Sequence, residues 1–221
     1  MDNKIFEEVD NYIEKLLIPQ DNALIRAEES LAAENIPQIS VSPNQGKFLQ
    51  IMAFSCNAKR ILEVGTLAGY STIWMARTLP ADGKLITIEF ELHHAEIAKK
   101  NISAAGLESK IEIITGKALE VLDKMITENT EPFDMIFIDA DKPPYTEYFQ
   151  RALKLSHSGT IIITDNVIRN GDILHENSAD EKVMGVQRFN KFLSGCKEVN
   201  ATIIQTVGVK EYDGMAIAVV K

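Results

Sequence analysis

Five short apolar runs rich in β-branched residues, each separated from the next by a stretch of helical length, constrain this chain more than any other feature. The runs are ILEV from Ile61, LITIE from Leu85, IEII from Ile111, MIFID from Met135 and TIIIT from Thr160. A strand that is apolar on both faces must be covered on both faces, and a crossover helix sets the next strand parallel to it. The intervening segments, about Ser71 to Leu79, Leu92 to Ala105, Ala118 to Glu128 and Tyr145 to Leu155, supply those helices. The alternation predicts an α/β fold with a doubly wound, largely parallel sheet. A further helix from about Asp180 to Ser194 leads to ATIIQTV and MAIAVV, read as a hairpin across the turn-forming Tyr212, Asp213 and Gly214. Ahead of the sheet, Phe6, Val9, Ile13, Leu16 and Leu17 recur at helical spacing, and a second helical stretch covers about Ala23 to Glu34. Two helices are therefore expected before the main domain. The reading is one domain over residues 1–221, with 1–40 as an N-terminal helical extension. Asn166 to Ala179, the longest irregular stretch, lies beside strand ends and is expected to serve as a substrate lid.

Composition narrows the partners. With 221 residues and 45% hydrophobic content, the chain can bury one sizeable core. A formal net charge of -9 disfavours nucleic acid as a ligand without excluding it, because phosphate-binding surfaces carry an excess of lysine and arginine. Cys56 and Cys196 are too few and too far apart for a disulfide framework or a zinc cluster, and are expected to be buried, reduced thiols. The charged N-terminus fits neither a signal peptide nor a membrane span, so the expected location is cytoplasmic.

Ligands of open α/β sheets bind at the carboxyl ends of the strands, so those ends carry the functional reading. The first strand runs into Glu63-Val64-Gly65-Thr66-Leu67-Ala68-Gly69-Tyr70-Ser71. Gly65 and Gly69 permit a tight turn with close backbone approach, and Ser71 stands where a helix begins and can meet an anionic group such as a carboxylate. The spacing is not that of a dinucleotide pyrophosphate loop, which weighs against nicotinamide or flavin. Glu89 ends the second strand, where an acidic side chain can grip ribose hydroxyls. Turn glycines and a solvated strand-end charge would explain each feature singly; their order favours a ribose-bearing ligand. Thr115-Gly116-Lys117-Ala118 reads equally as the start of an ordinary helix and as the wall of an adenine site.

The fourth and fifth strands deliver Asp139-Ala140-Asp141-Lys142 and Asp165-Asn166 to one crevice. Clustered carboxylates repel unless a cation or a shared proton offsets them, and all-oxygen donors suit magnesium, calcium or manganese. Asp139, Asp165 and Asn166 form a candidate triad whose remaining coordination positions suit a vicinal diol or catechol. Asp and Asn also cap turns at many strand ends. Lys142, three residues past Asp139, tips the balance, since a cation beside it and partial burial would suit a working base. His93, His94, His157 and His175 lack metal-ligand spacing, and Trp74 and Met75 read as helix core.

With those residues in view, the chain resembles the cation-dependent O-methyltransferases, the group that includes catechol O-methyltransferase and plant caffeoyl-CoA O-methyltransferase. The resemblance covers nearly the whole chain and is carried by ILEVGTLAGYS, DGKLITIE, FDMIFIDADK with YTEYF, TDNVIRNG and DGMAIAVVK, in that order. It implies a Rossmann-like class I methyltransferase sheet of strand order 3-2-1-4-5-7-6 with an antiparallel last strand. It also implies S-adenosylmethionine bound by Val41, Glu63, Gly65, Thr66, Ser71, Glu89, Ala118, Asp139 and Asp141. A divalent metal, magnesium, manganese or calcium, would sit on Asp139, Asp165 and Asn166, with Lys142 and Asp139 catalytic and Asn170 beside a small aromatic substrate. A homodimer is implied as well. The chain departs from the plant pattern at Val41, where threonine usually stands, and lacks an evident basic set for coenzyme A. Two other functions are weighed against catechol-type methylation: a tRNA hydroxyuridine O-methyltransferase, and a non-catalytic nucleotide-binding domain that would not need Asp139, Asp165, Asn166 and Lys142.

Overall fold

Alternation along each central strand decides the layering. Ile61, Met135, Phe137, Ile161 and Ile163 face one side of the sheet, while Leu62, Val64, Ile136, Ile138 and Ile162 face the other, all under 9% exposed. Each such side chain contributes about 1.5–3 kcal/mol when fully buried. Both faces must therefore be roofed by helices. The computed structural model describes residues 3–221, in which β1 (Arg60–Val64), β2 (Lys84–Glu89), β3 (Ile111–Thr115), β4 (Phe133–Ile138) and β5 (Ser156–Thr164) pair in parallel. β6 (Val199–Gly208) and β7 (Glu211–Val220) complete one seven-stranded sheet in the order 3-2-1-4-5-7-6, with β7 antiparallel to both neighbours. The fold class and strand order expected from sequence are both present.

Helices α1 (Asn3–Leu17), α2 (Asn22–Ala33) and α3 (Pro43–Ser55) precede the sheet. Three helices, rather than two, therefore form the N-terminal region. α3 begins at a complete capping box, in which Ser42 accepts from the Gln45 amide and the Gln45 side chain accepts from the Ser42 amide, with Pro43 in the first turn. Its Gly46 lies against the Trp74 ring, where a Cβ would clash, so the glycine lets α3 close onto α4 (Tyr70–Ala76). Trp74 is core, as expected. α5 (Leu92–Ala104), α6 (Ala118–Thr127), α7 (Tyr145–Lys154) and α8 (Glu181–Gly195) fall within a few residues of expectation.

Three other expectations change. The β6–β7 turn is at Val209 and Lys210, so Tyr212, Asp213 and Gly214 lie inside β7. The segment after β5 is not wholly irregular, since Arg169–Leu174 forms a 3-10 stretch. Cys56 and Cys196 are free and half-buried, not fully buried. No helix among the described residues is long and apolar enough to cross a membrane.

Candidate active site

One cleft of about 1600 Å³ opens along the carboxyl ends of the strands. Gly65, with φ of 98°, turns the chain at the end of β1, and a Cβ there would collide with the Asp139 carbonyl oxygen. Only glycine allows β1 and β4 to end this close together. The turn is tied to β2 by Glu89, whose Oε2 accepts from the Thr66 and Leu67 amides at 3.1 and 2.8 Å and whose Oε1 accepts from the Glu91 amide at 3.0 Å. The carboxylate thus holds the turn in shape and still lines the cleft. His94, expected to be a surface or structural residue, lies 3.6 Å from Glu89 and also faces the cleft.

Val41, Gly65, Thr66, Ser71, Glu89, Ala118, Asp139 and Asp141 all line this cleft, as do Gly116 and Lys117. Glu63 does not. It is fully buried behind the wall, where the Ser71 and Thr72 hydroxyls donate to it. Burial pushes its carboxyl up to about 7 against the pull of those hydrogen bonds. Glu63 therefore acts by orienting the start of α4, and the Ser71 hydroxyl is turned toward Glu63 instead of outward.

At the other end, β4 and β5 bring Asp139, Asp141, Lys142, Asp165 and Asn166 to one wall. Lys142 Nζ donates to Asp139 Oδ1 at 3.0 Å and stands 5.0 Å from the centre of the Tyr145 ring, in a position only 9% exposed. Asp165 is 2% exposed, and burial, reinforced by the Asp139 charge, raises its carboxyl well above the usual range. A carboxylate out of water that feels a second carboxylate favours a cation or a shared proton beside it, and Lys142 offsets part of that charge. No group of three or more His, Cys, Asp or Glu side chains suited to a metal occurs among the described residues. The donor set here is instead two carboxylates and the Asn166 amide, all oxygen donors of the kind a hard divalent cation takes.

Several supporting residues escaped the sequence reading. The Tyr145 hydroxyl donates to the Asp165 carbonyl at 2.9 Å, and the Tyr148 hydroxyl donates to Asp141. Asp213 Oδ1 accepts from the Ile168, Arg169 and Gly214 amides, each at 2.9 Å, and so pins the segment after β5 to β7. Only the Tyr145-x-x-Tyr148 spacing, one helical turn, could have been read in advance. Asn170 lies at the rim of the cleft with φ of 55°, its amide 3.4 Å from Glu211.

Residues 18–219 match the O-methyltransferase family. The chain belongs to this family. It is 61% identical over its full length, and the relative's, to catechol O-methyltransferase of Niastella koreensis. Among solved structures, an O-methyltransferase from Bacillus cereus in complex with SAH is 47% identical, with a TM-score of 0.97 over 99% of this chain and 100% of that one. The O-methyltransferase of tomaymycin synthesis from Streptomyces achromogenes, in complex with SAM, is 43% identical, with a TM-score of 0.97 over 100% and 99% of the two chains. For an O-methyltransferase the two ends of the cleft divide naturally: the glycine turn and Glu89 suit a methyl donor, and the acidic wall with Lys142 suits the hydroxyl that accepts the methyl.

Proposed function

We infer that this O-methyltransferase takes a methyl group from S-adenosylmethionine and delivers it to one hydroxyl of a small vicinal diphenol. The observation that carries this reading is the convergence of Asp139, Asp165, Asn166 and Lys142 at one end of a cleft whose other end is built from Thr66 and Glu89, with Gly65 where the two meet. Asp139, Asp165 and Asn166 would hold a divalent cation, magnesium, manganese or calcium, which supplies the positive charge that acidifies a neighbouring hydroxyl. Three protein donors leave room for two adjacent substrate oxygens, and a monophenol can fill only one such place.

Lys142 Nζ, having first given up one of its own protons to solvent, takes the hydroxyl proton as the oxygen forms its bond to the methyl carbon and the carbon–sulfur bond of the sulfonium breaks, the bond's electron pair staying on sulfur. Tyr145, by holding the Asp165 carbonyl and lying beside Lys142, fixes where that relay stands. Much of the rate gain comes from alignment, since a well-oriented pair of reactants reacts as one molecule. Transfer of labelled methyl to 4-methylcatechol, with phenol and hydroxyuridine-bearing tRNA as competitors at matched subsaturating concentrations, tests the reading. The diphenol should win by a wide margin, and faster labelling of the tRNA would overturn the substrate class.

We also propose that the chain works as a homodimer through its N-terminal helices. Ile5, Val9, Tyr12 and Leu16 follow helical spacing along one face of α1 and are 46–65% exposed, and Phe54 of α3 is 73% exposed. An apolar stripe of this kind marks an interface. Light scattering should find two chains per particle in the wild type and one in Tyr12→Asp/Leu16→Glu. A wild type that is monomeric at micromolar concentration would contradict the assignment.

A further inference from the structure

Six lysine and arginine side chains line the cleft, and three of them have partners: Lys117 with Glu120, Lys142 with Asp139 and Arg151 with Asp123. Arg169, Lys182 and Lys210 stand in no ion pair among the described residues. They come from three different elements: the 3-10 stretch after β5, the first turn of α8 and the β6–β7 turn. Arg169 is the most constrained of them. Its amide is held by Asp213 Oδ1 at 2.9 Å, its backbone sits at φ of 55°, and its Nε is buried with no hydrogen-bond partner. A buried guanidinium donor without an acceptor is costly, and the fork of a guanidinium matches a carboxylate in geometry. Arg169 lies three residues beyond Asn166 and immediately before Asn170, which places it at the acceptor end of the cleft and not at the glycine turn.

We propose that Arg169 is a specificity-determining residue that receives the carboxylate of an acid-bearing diphenol, with Lys182 and Lys210 adding positive charge at the rim. The inference rests on the diphenol reading above. With Asp139 and Asp165 offset by a cation and the Asp213 carboxylate occupied by three backbone amides, Arg169 is left to meet a substrate carboxylate, while Glu211 lines the same cleft and Lys210 also interacts with Glu28. A carboxylate on the ring or on a short side chain is then favoured over a neutral substituent, and an ammonium group is disfavoured. Selection of this kind acts on binding and orientation, so it should appear in KM more than in kcat.

The test compares 3,4-dihydroxybenzoate, its methyl ester and dopamine as acceptors. Wild type should rank them in that order by kcat/KM. Arg169→Gln should lower kcat/KM for the acid about 10- to 100-fold, the loss expected for one charge-assisted contact, while the ester changes less than about threefold. Arg169→Lys should recover part of the preference for the acid, and S-adenosylhomocysteine affinity should stay constant in both variants, which establishes that the cleft is intact. Equal losses for acid and ester, or no preference in the wild type, would overturn the proposal. So would a loss confined to hydroxyuridine-bearing tRNA, which would assign Arg169 to a phosphate. Failure to methylate any of the three diphenols would instead strike the diphenol reading, and the two failures are thereby distinguishable.

Discussion

Asp165→Ala should lower methyl transfer to a diphenol by about 10³-fold or more, because removing a cation that stabilises developing charge costs several kcal/mol of barrier. Chelation of the wild type should do the same, and added magnesium or manganese should restore the chelated wild type but not the variant. Asp165 is 2% exposed and faces the Asp139 charge, so the variant also relieves a repulsion present in the metal-free protein. Asp165→Asn, which keeps the shape and removes the charge, should therefore melt no lower than metal-free wild type while remaining inactive. Loss of activity with preserved folding is the signature of a lost cation. Full activity in metal-free Asp165→Ala would refute the reading.

Lys142→Ala should lower kcat about 10²- to 10⁴-fold, the range for loss of a positioned proton-transfer group, and change S-adenosylhomocysteine affinity less than about threefold. Glu89→Ala should do the reverse. Its carboxylate accepts three backbone hydrogen bonds from the turn that carries Thr66 and from Glu91, so its loss would disorder that turn and remove the proposed ribose partner. Affinity should fall about 10- to 100-fold, with kcat at saturating donor nearly preserved. Calorimetry on the two variants separates the ends of the cleft. Equal losses of affinity would mean that the division between donor end and acceptor end is wrong.

The parallel strands were legible because each is a short apolar run between segments of helical length, and burial on both faces leaves a sequence little other choice. α3 was not legible for the opposite reason. Its apolar residues point in several directions, with Leu49 fully buried and Phe54 73% exposed, and Pro43 and Gly46 read locally as breakers. Both are explained only by tertiary structure: Pro43 occupies the first turn, and Gly46 admits Trp74. The β6–β7 turn was misplaced because Tyr212-Asp213-Gly214 has turn composition, yet the Asp213 carboxylate accepts from two amides of the segment after β5 and from that of Gly214. At the site, strand-end acids and turn glycines announced themselves by position. The hidden placement of Glu63 depended on which way β1 faces, and the placement of Arg169 depended on how Asp213 of β7 holds the segment after β5, and neither is written in local spacing.

The most direct test of the central claim is electron paramagnetic resonance of Mn²⁺ titrated into the full chain with S-adenosylhomocysteine present. One tightly bound ion per chain is expected, lost in Asp165→Ala, whose spectrum changes on addition of catechol and stays the same on addition of phenol. Absence of a stoichiometric bound ion, or equal responses to catechol and phenol, would contradict it.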